Sequence, residues 1–143
     1  MTARIFLVED NDIVRESLAE YISAMGAYEV CGVAASAEEA LDRLERLETA
    51  TADAESLGLD LPVVDLSLPG MDGAQLIEHI GQRWPDTPCV ICSGHRETTY
   101  VERALAAGSQ GYILKGQPSE LQEALPKILA GERYLSEKLP GSK

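Results

Sequence analysis

With 143 residues, 45% of them hydrophobic, the chain has the size of one ordinary globular domain that can bury a core without disulfides or a structural metal. Its 24 acidic against 12 basic residues leave a net charge of −12, without the basic patch that neutralises a nucleic-acid backbone or grips an anionic membrane, so direct nucleic-acid binding and membrane association are not expected. Residues 1–8 are too short for a signal peptide and run into acidic residues, and no apolar run approaches the roughly 20 residues of a membrane span, so a cytoplasmic location is expected.

Apolar runs of strand length alternate with amphipathic helical stretches, the pattern of βαβ units stacked around a parallel sheet. A first strand is expected over 4–8, then a helix over 12–25 that turns Ile13, Val14, Leu18, Tyr21, Ile22 and Met25 to one face and stops at Gly26. A second strand over 29–34 leads to Ser36-Ala37-Glu38-Glu39, a capping box for a helix running to Leu47. Residues 48–60 show neither alternation nor a sustained helical face and read as a mobile surface loop with room for an extra helical turn. A third strand ends at Asp65, and a third helix over 74–83 turns Leu76, Ile77 and Ile80 inward. After the turn-rich Trp84-Pro85-Asp86-Thr87-Pro88 come a strand over 89–93, a helix over 98–107, a strand over 111–114 and a helix from Pro118-Ser119-Glu120 towards Ala130. Pro62 should confine full pairing of the third strand to Val63 onward, and Pro126 should kink the last helix.

Cys31, Cys89 and Cys92 are an odd number at apolar positions, which suits a reducing compartment. Cys89-Val90-Ile91-Cys92 spells C-x-x-C, but a strand points positions three apart to opposite faces, so both are expected to pack rather than converge on a metal or a disulfide.

Chemistry concentrates where the apolar runs end. Glu9 and Asp10 follow the first run and Asp65 ends the third, so a parallel sheet gathers three carboxylates in the crevice at its carboxyl edge. Such a cluster repels itself unless a hard divalent cation sits inside it, and oxygen-only ligands favour Mg²⁺. Ser93 and Lys115 end two further buried runs and face the same crevice. A carboxylate beside a cation, a hydroxyl and an ammonium make a site for an anion that gains charge, above all a phosphoryl group. Asp65 then reads as nucleophile, Glu9 and Asp10 as metal holders, Ser93 as donor and Lys115 as charge partner.

Five motifs in order carry a family resemblance over about residues 3–137: Leu7-Val8-Glu9-Asp10-Asn11-Asp12, Asp65-Leu66-Ser67-Leu68-Pro69-Gly70-Met71-Asp72-Gly73, Ser93-Gly94-His95, Gly111-Tyr112-Ile113-Leu114-Lys115 and Gly131-Glu132-Arg133-Tyr134-Leu135-Ser136. The chain resembles a receiver domain of a bacterial two-component response regulator, similar to the chemotaxis receiver in fold and to LuxR-type transcription regulators in detail. The resemblance implies a doubly wound, flavodoxin-like (βα)5 domain with a five-stranded parallel sheet of order 2-1-3-4-5; a receiver is expected over 1–131 and a tail or linker start over 132–143 with no output domain, as either a stand-alone receiver or one whose output domain has been removed. It implies a signalling phosphoacceptor, not an enzyme beyond its own phosphoryl transfer and dephosphorylation. Asp65 would take phosphate from a sensor histidine kinase, with Mg²⁺ or Mn²⁺ held by Asp10, Asp65 and the backbone carbonyl of Ser67, and Glu9 acting largely through water. Ser93 and Lys115 would contact the phosphoryl oxygens, Tyr112 would be the switch aromatic that turns inward when Ser93 engages the phosphate, and Ser67 and His95 would tune lifetime. Helix four, strand five and helix five would form the face read by a second copy or an output domain, and transcription would be the output if such a domain follows. The chain departs from the pattern at Gly116, where many receivers carry Pro.

Rival classes fit less well. A haloacid-dehalogenase-type phosphatase needs an Asp where Ser67 stands, and a flavodoxin-like carrier needs a phosphate loop where Glu9-Asp10-Asn11-Asp12 would repel the flavin phosphate. An adaptor that binds proteins without phosphorylation shares the fold, but the intact acidic cluster argues against it.

Overall fold

In the computed structural model, which describes residues 2–50, 58–116, 119–136 and 139, each apolar run becomes a strand and each amphipathic stretch a helix. The order is β1 (Ala3–Val8), α1 (Asp12–Ala24), β2 (Tyr28–Ala34), α2 (Ala37–Ala50), β3 (Leu61–Asp65), α3 (Gly73–Arg83), β4 (Val90–Ser93), α4 (Thr98–Ala106), β5 (Gly111–Leu114), α5 (Glu120–Leu129) and β6 (Tyr134–Leu135). All strands pair parallel in one sheet of order β2-β1-β3-β4-β5-β6.

Alternation along each strand builds two cores, one on each face of the sheet. Phe6, Val8, Val64, Ile91, Tyr112 and Leu114 pack with residues of α2, α3 and α4 on one side. Ile5, Leu7, Val63, Val90, Cys92 and Ile113 pack with α1 and α5 on the other. Cys89 belongs to the first core and Cys92 to the second, as the strand period requires, and burial pushes both thiols up to about 12. Ile13, expected inward, is instead 76% exposed, so the apolar spacing of α1 does not bury its first turn.

Caps fix where the chain leaves the sheet. The Asn11 side chain accepts from the Val14 N–H (3.0 Å) to start α1, and Asp72 and Gln75 form a reciprocal capping box at α3. At α2 only half of the expected box is regular: Ser36 Oγ accepts from the Glu39 N–H (3.1 Å), while the Glu39 carboxylate reaches back to the N–H of Ala35 (3.1 Å) instead of Ser36.

The structure corrects the sequence reading in two further places. The sheet has six strands rather than five, because Tyr134–Leu135 adds beside β5. That approach depends on Gly111, where a Cβ would lie 2.2 Å from the Tyr134 carbonyl oxygen. Helix α2 passes Leu47 and continues to Ala50, because Glu48 is held from the end of α3 by Arg83 (2.9 Å) and by Trp84 Nε1 (2.6 Å). Residues 51–57 of the expected loop, and Pro118 at the expected start of the last helix, lie outside the described residues. Pro126 lies inside α5 with its ring on the exposed face, and the helix continues past it to Leu129, in keeping with the expected course towards Ala130. Pro62 behaves as expected, since β3 pairs with β1 from Leu61 but with β4 only from Val63.

Candidate phosphoacceptor site

The strand register brings the polar strand ends together. Val8 lies opposite Val64, Asp65 opposite Cys92 and Ser93 opposite Leu114, so Glu9, Asp10, Asp65, Ser93 and Lys115 all emerge at one edge of the sheet. Glu9, Asp10 and Asp65 each present a carboxylate oxygen within 4.8 Å of the others. Glu9 is 1% and Asp65 4% exposed, while Asp10 stands at the exposed mouth.

Two buried carboxylates at this spacing need positive charge, and Lys115 supplies part of it. Its Nζ lies 2.5 Å from Glu9 Oε1 and 3.1 Å from Asp65 Oδ1. Burial pulls the Lys115 ammonium down, but the two carboxylates outweigh it and the net displacement is upward. Asp65 is pushed up to about 6 by burial above all, with Lys115 opposing and the Glu9 charge adding to the rise. One ammonium therefore does not balance the cluster. The other Glu9 oxygen, Oε2, accepts from the Asn11 N–H (3.0 Å), and Asp65 Oδ1 accepts from the Ser67 N–H (3.2 Å). The donor set is all oxygen, three carboxylates converge from two strand ends, and Asp10 faces solvent, which is the chemistry that suits a hard divalent cation.

His95 gathers Ser67, Ser93 and Tyr112. Its Nε2 is 2.9 Å from Ser67 Oγ, its N–H donates to Ser93 Oγ (3.1 Å), and its carbonyl accepts from the Tyr112 hydroxyl (2.9 Å). The ring stacks on Tyr100 with centroids 4.2 Å apart. Ser93 and Tyr112 are fully buried, so Tyr112 already occupies an inward position, with its hydroxyl on His95.

Sequence reasoning placed the carboxylates, Ser67, Ser93, His95, Tyr112 and Lys115, and the structure brings them together. It missed Arg15, whose Nη1 donates to the Glu9 carbonyl (2.9 Å) and whose Nη2 pairs with Asp12 (2.5 Å), and Tyr100 beneath His95. The spacing of Asp12 and Arg15 on one helical turn was the available signal for the first. Nothing local announced the second.

A doubly wound parallel sheet with an acidic trio and a lysine at its carboxyl edge defines a phosphoacceptor type of α/β domain. Residues 5–126 match the model of the response regulator receiver domain, and the chain belongs to that family. It is 32% identical over 138 residues to the nitrate/nitrite response regulator protein NarL of Escherichia coli, covering 96% of this chain and 59% of NarL. It is 30% identical to the chemotaxis protein CheY of Thermotoga maritima, covering 90% of this chain and 98% of CheY. A crystal structure of a LuxR-family two-component response regulator from an Aurantimonas species superposes with a TM-score of 0.81 at 36% identity, covering 96% of this chain and 91% of that one. The chain thus spans less than two thirds of NarL. Receiver domains of this family are signalling phosphoacceptors rather than classical enzymes. Among the described residues, no helix is long and apolar enough to cross a membrane.

Proposed function

We propose that Asp65 is the residue that accepts the phosphoryl group, from a sensor histidine kinase in the cytoplasm, with Mg²⁺ or Mn²⁺ as the required cation. The observation that carries this reading is the pair of contacts from Lys115 to Glu9 and Asp65 within a cluster that one ammonium leaves short of positive charge. Asp10, Asp65 and the Ser67 carbonyl would hold the cation. Glu9 fits a role through water, since Lys115 lies against one of its oxygens and the Asn11 N–H bonds the other. When bound, the cation offsets the charge of carboxylates and phosphate so that the two can approach.

The chain's own groups supply the rest. Asp65 offers a carboxylate oxygen as nucleophile, held by the Ser67 N–H; Lys115 neutralises charge on the transferred group, and the Ser93 hydroxyl donates to a phosphoryl oxygen while still accepting from His95. Ser67 and His95, joined across the mouth of the site, set access for the water that ends the phosphorylated state. Residues 1–131 form the body of the receiver, the segment from Glu132 adds β6 to its sheet, and the output is transcriptional if an output domain follows.

Intact-mass spectrometry with acetyl phosphate tests this directly. One phosphoryl group should appear on the wild type only with Mg²⁺ or Mn²⁺ and none on Asp65→Asn, and in the same time course Ser67→Asn and His95→Glu should alter the rate of loss. Equal labelling of Asp65→Asn would remove the assignment, and unchanged decay in the other two would remove the role of their side chains.

A further inference from the structure

We propose that the short strand β6, with Ser136 behind it, is a conformational output element of this receiver, and that a phosphoryl group on Asp65 tightens it onto β5. The inference rests on Asp65 as phosphoacceptor. A run of hydrogen bonds links the two ends: the His95 N–H donates to Ser93 Oγ (3.1 Å), the Tyr112 hydroxyl to the His95 carbonyl (2.9 Å), and the Ser136 N–H to the Tyr112 carbonyl (3.0 Å). The Ser136 hydroxyl then donates to Glu120 Oε2 (2.9 Å) in the first turn of α5. Ser93, Tyr112 and Ser136 are each 0% exposed, so water cannot replace these partners without local opening.

The sheet is shaped to receive this strand. Gly111 leaves the space that the Tyr134 backbone fills, the Tyr134 ring is buried with Lys127 Nζ 5.9 Å from its centroid, and Leu139 is buried in the core on the α4 side. Yet β6 has only two residues, and an element so short draws its stability from these few contacts, which makes it responsive to a small bias. Ser93 Oγ uses a lone pair for His95, which leaves its proton for a phosphoryl oxygen. Fixing Ser93 in this way orders His95, then Tyr112, then Ser136. Ordering at one end lowers the cost of ordering at the other, and the coupling must be reciprocal.

Amide hydrogen exchange followed by NMR on the full chain tests the proposal, with Mg²⁺ and beryllofluoride as the probe that stands in for a phosphoryl group on Asp65. Exchange at the Ser136 and Tyr134 amides should slow at least about fivefold when the adduct forms. Reciprocally, Ser136→Ala should speed exchange in β6 and weaken beryllofluoride binding by a comparable factor. Should Ser136→Ala fail to fold, Gly111→Ala loosens the strand from its other side and carries the same expectation. Unchanged or faster exchange on adduct formation, or a loosened β6 with unaltered beryllofluoride affinity, would overturn the proposal. Adduct formation is read separately from the amide shifts of Ser67 and Lys115. Their absence would count against Asp65 as phosphoacceptor, whereas their presence with an unresponsive β6 would count against this inference alone.

Discussion

Asp65 is costly to the fold at neutral pH. Its carboxyl titrates near 6 in the folded chain against an ordinary 3.8, chiefly because it is buried. Between about pH 4 and 6 the folded state therefore binds more protons than the unfolded one, and this group's contribution to stability falls as pH rises through that window. Above it the ionised carboxylate costs at most about 3 kcal/mol. In chelator, Asp65→Asn should be more stable than wild type by about 1–3 kcal/mol at pH 7, with the advantage gone below about pH 4. Equal melting temperatures at pH 7 would contradict the cause assigned to the shift. The acidic residues and Lys115 could be read in the sequence because each ends a buried run, which in a parallel sheet determines its location. Arg15 and Tyr100 could not, since the first acts on a main-chain carbonyl and the second on a ring that only the folded β4–α4 loop brings near.

The elements show where a local pattern suffices and where it does not. Helix α3 carries two glycines whose replacement should have opposite effects. At Gly73 a Cβ would lie 2.2 Å from the Asp65 carbonyl oxygen and 2.8 Å from Leu66 Cα, both main-chain atoms that cannot yield cheaply. Gly73→Ala should cost about 1–3 kcal/mol through overpacking and displace the backbone at Asp65. Gly81, on the exposed side of the same helix, has nothing within 4 Å, so Gly81→Ala should add roughly 0.5–1 kcal/mol from helix propensity alone. Urea midpoints moving in the same direction for both would refute this contrast. Strands β1 to β5 were legible as apolar runs of four or more residues. Strand β6 was not, because two residues show no alternation and its existence depends on a glycine some twenty positions earlier. The last turn of α2 was likewise hidden, as it depends on Arg83 and Trp84.

At the scale of the whole molecule, α4, β5 and α5 form the face that the resemblance assigns to partners, and β6 changes what that face offers. The outer edge of β5 is paired with the chain's own strand, so a second copy or an output domain meets α4, α5 and the tail rather than a bare strand edge. Beryllofluoride should change self-association in sedimentation, and Ser136→Ala should blunt that change. Association that ignores the adduct would favour the adaptor reading. The chain's single tryptophan lies elsewhere: Trp84 is buried at the far end of α3, an eleven-residue helix roughly 16 Å long that starts beside Asp65, and it is bonded to Glu48 of α2. Its ultraviolet emission is thus a private channel for the seam between α2 and α3. A titration with Mg²⁺ should leave that emission nearly constant while calorimetry registers the binding, and denaturation should shift it to the red as the indole meets water.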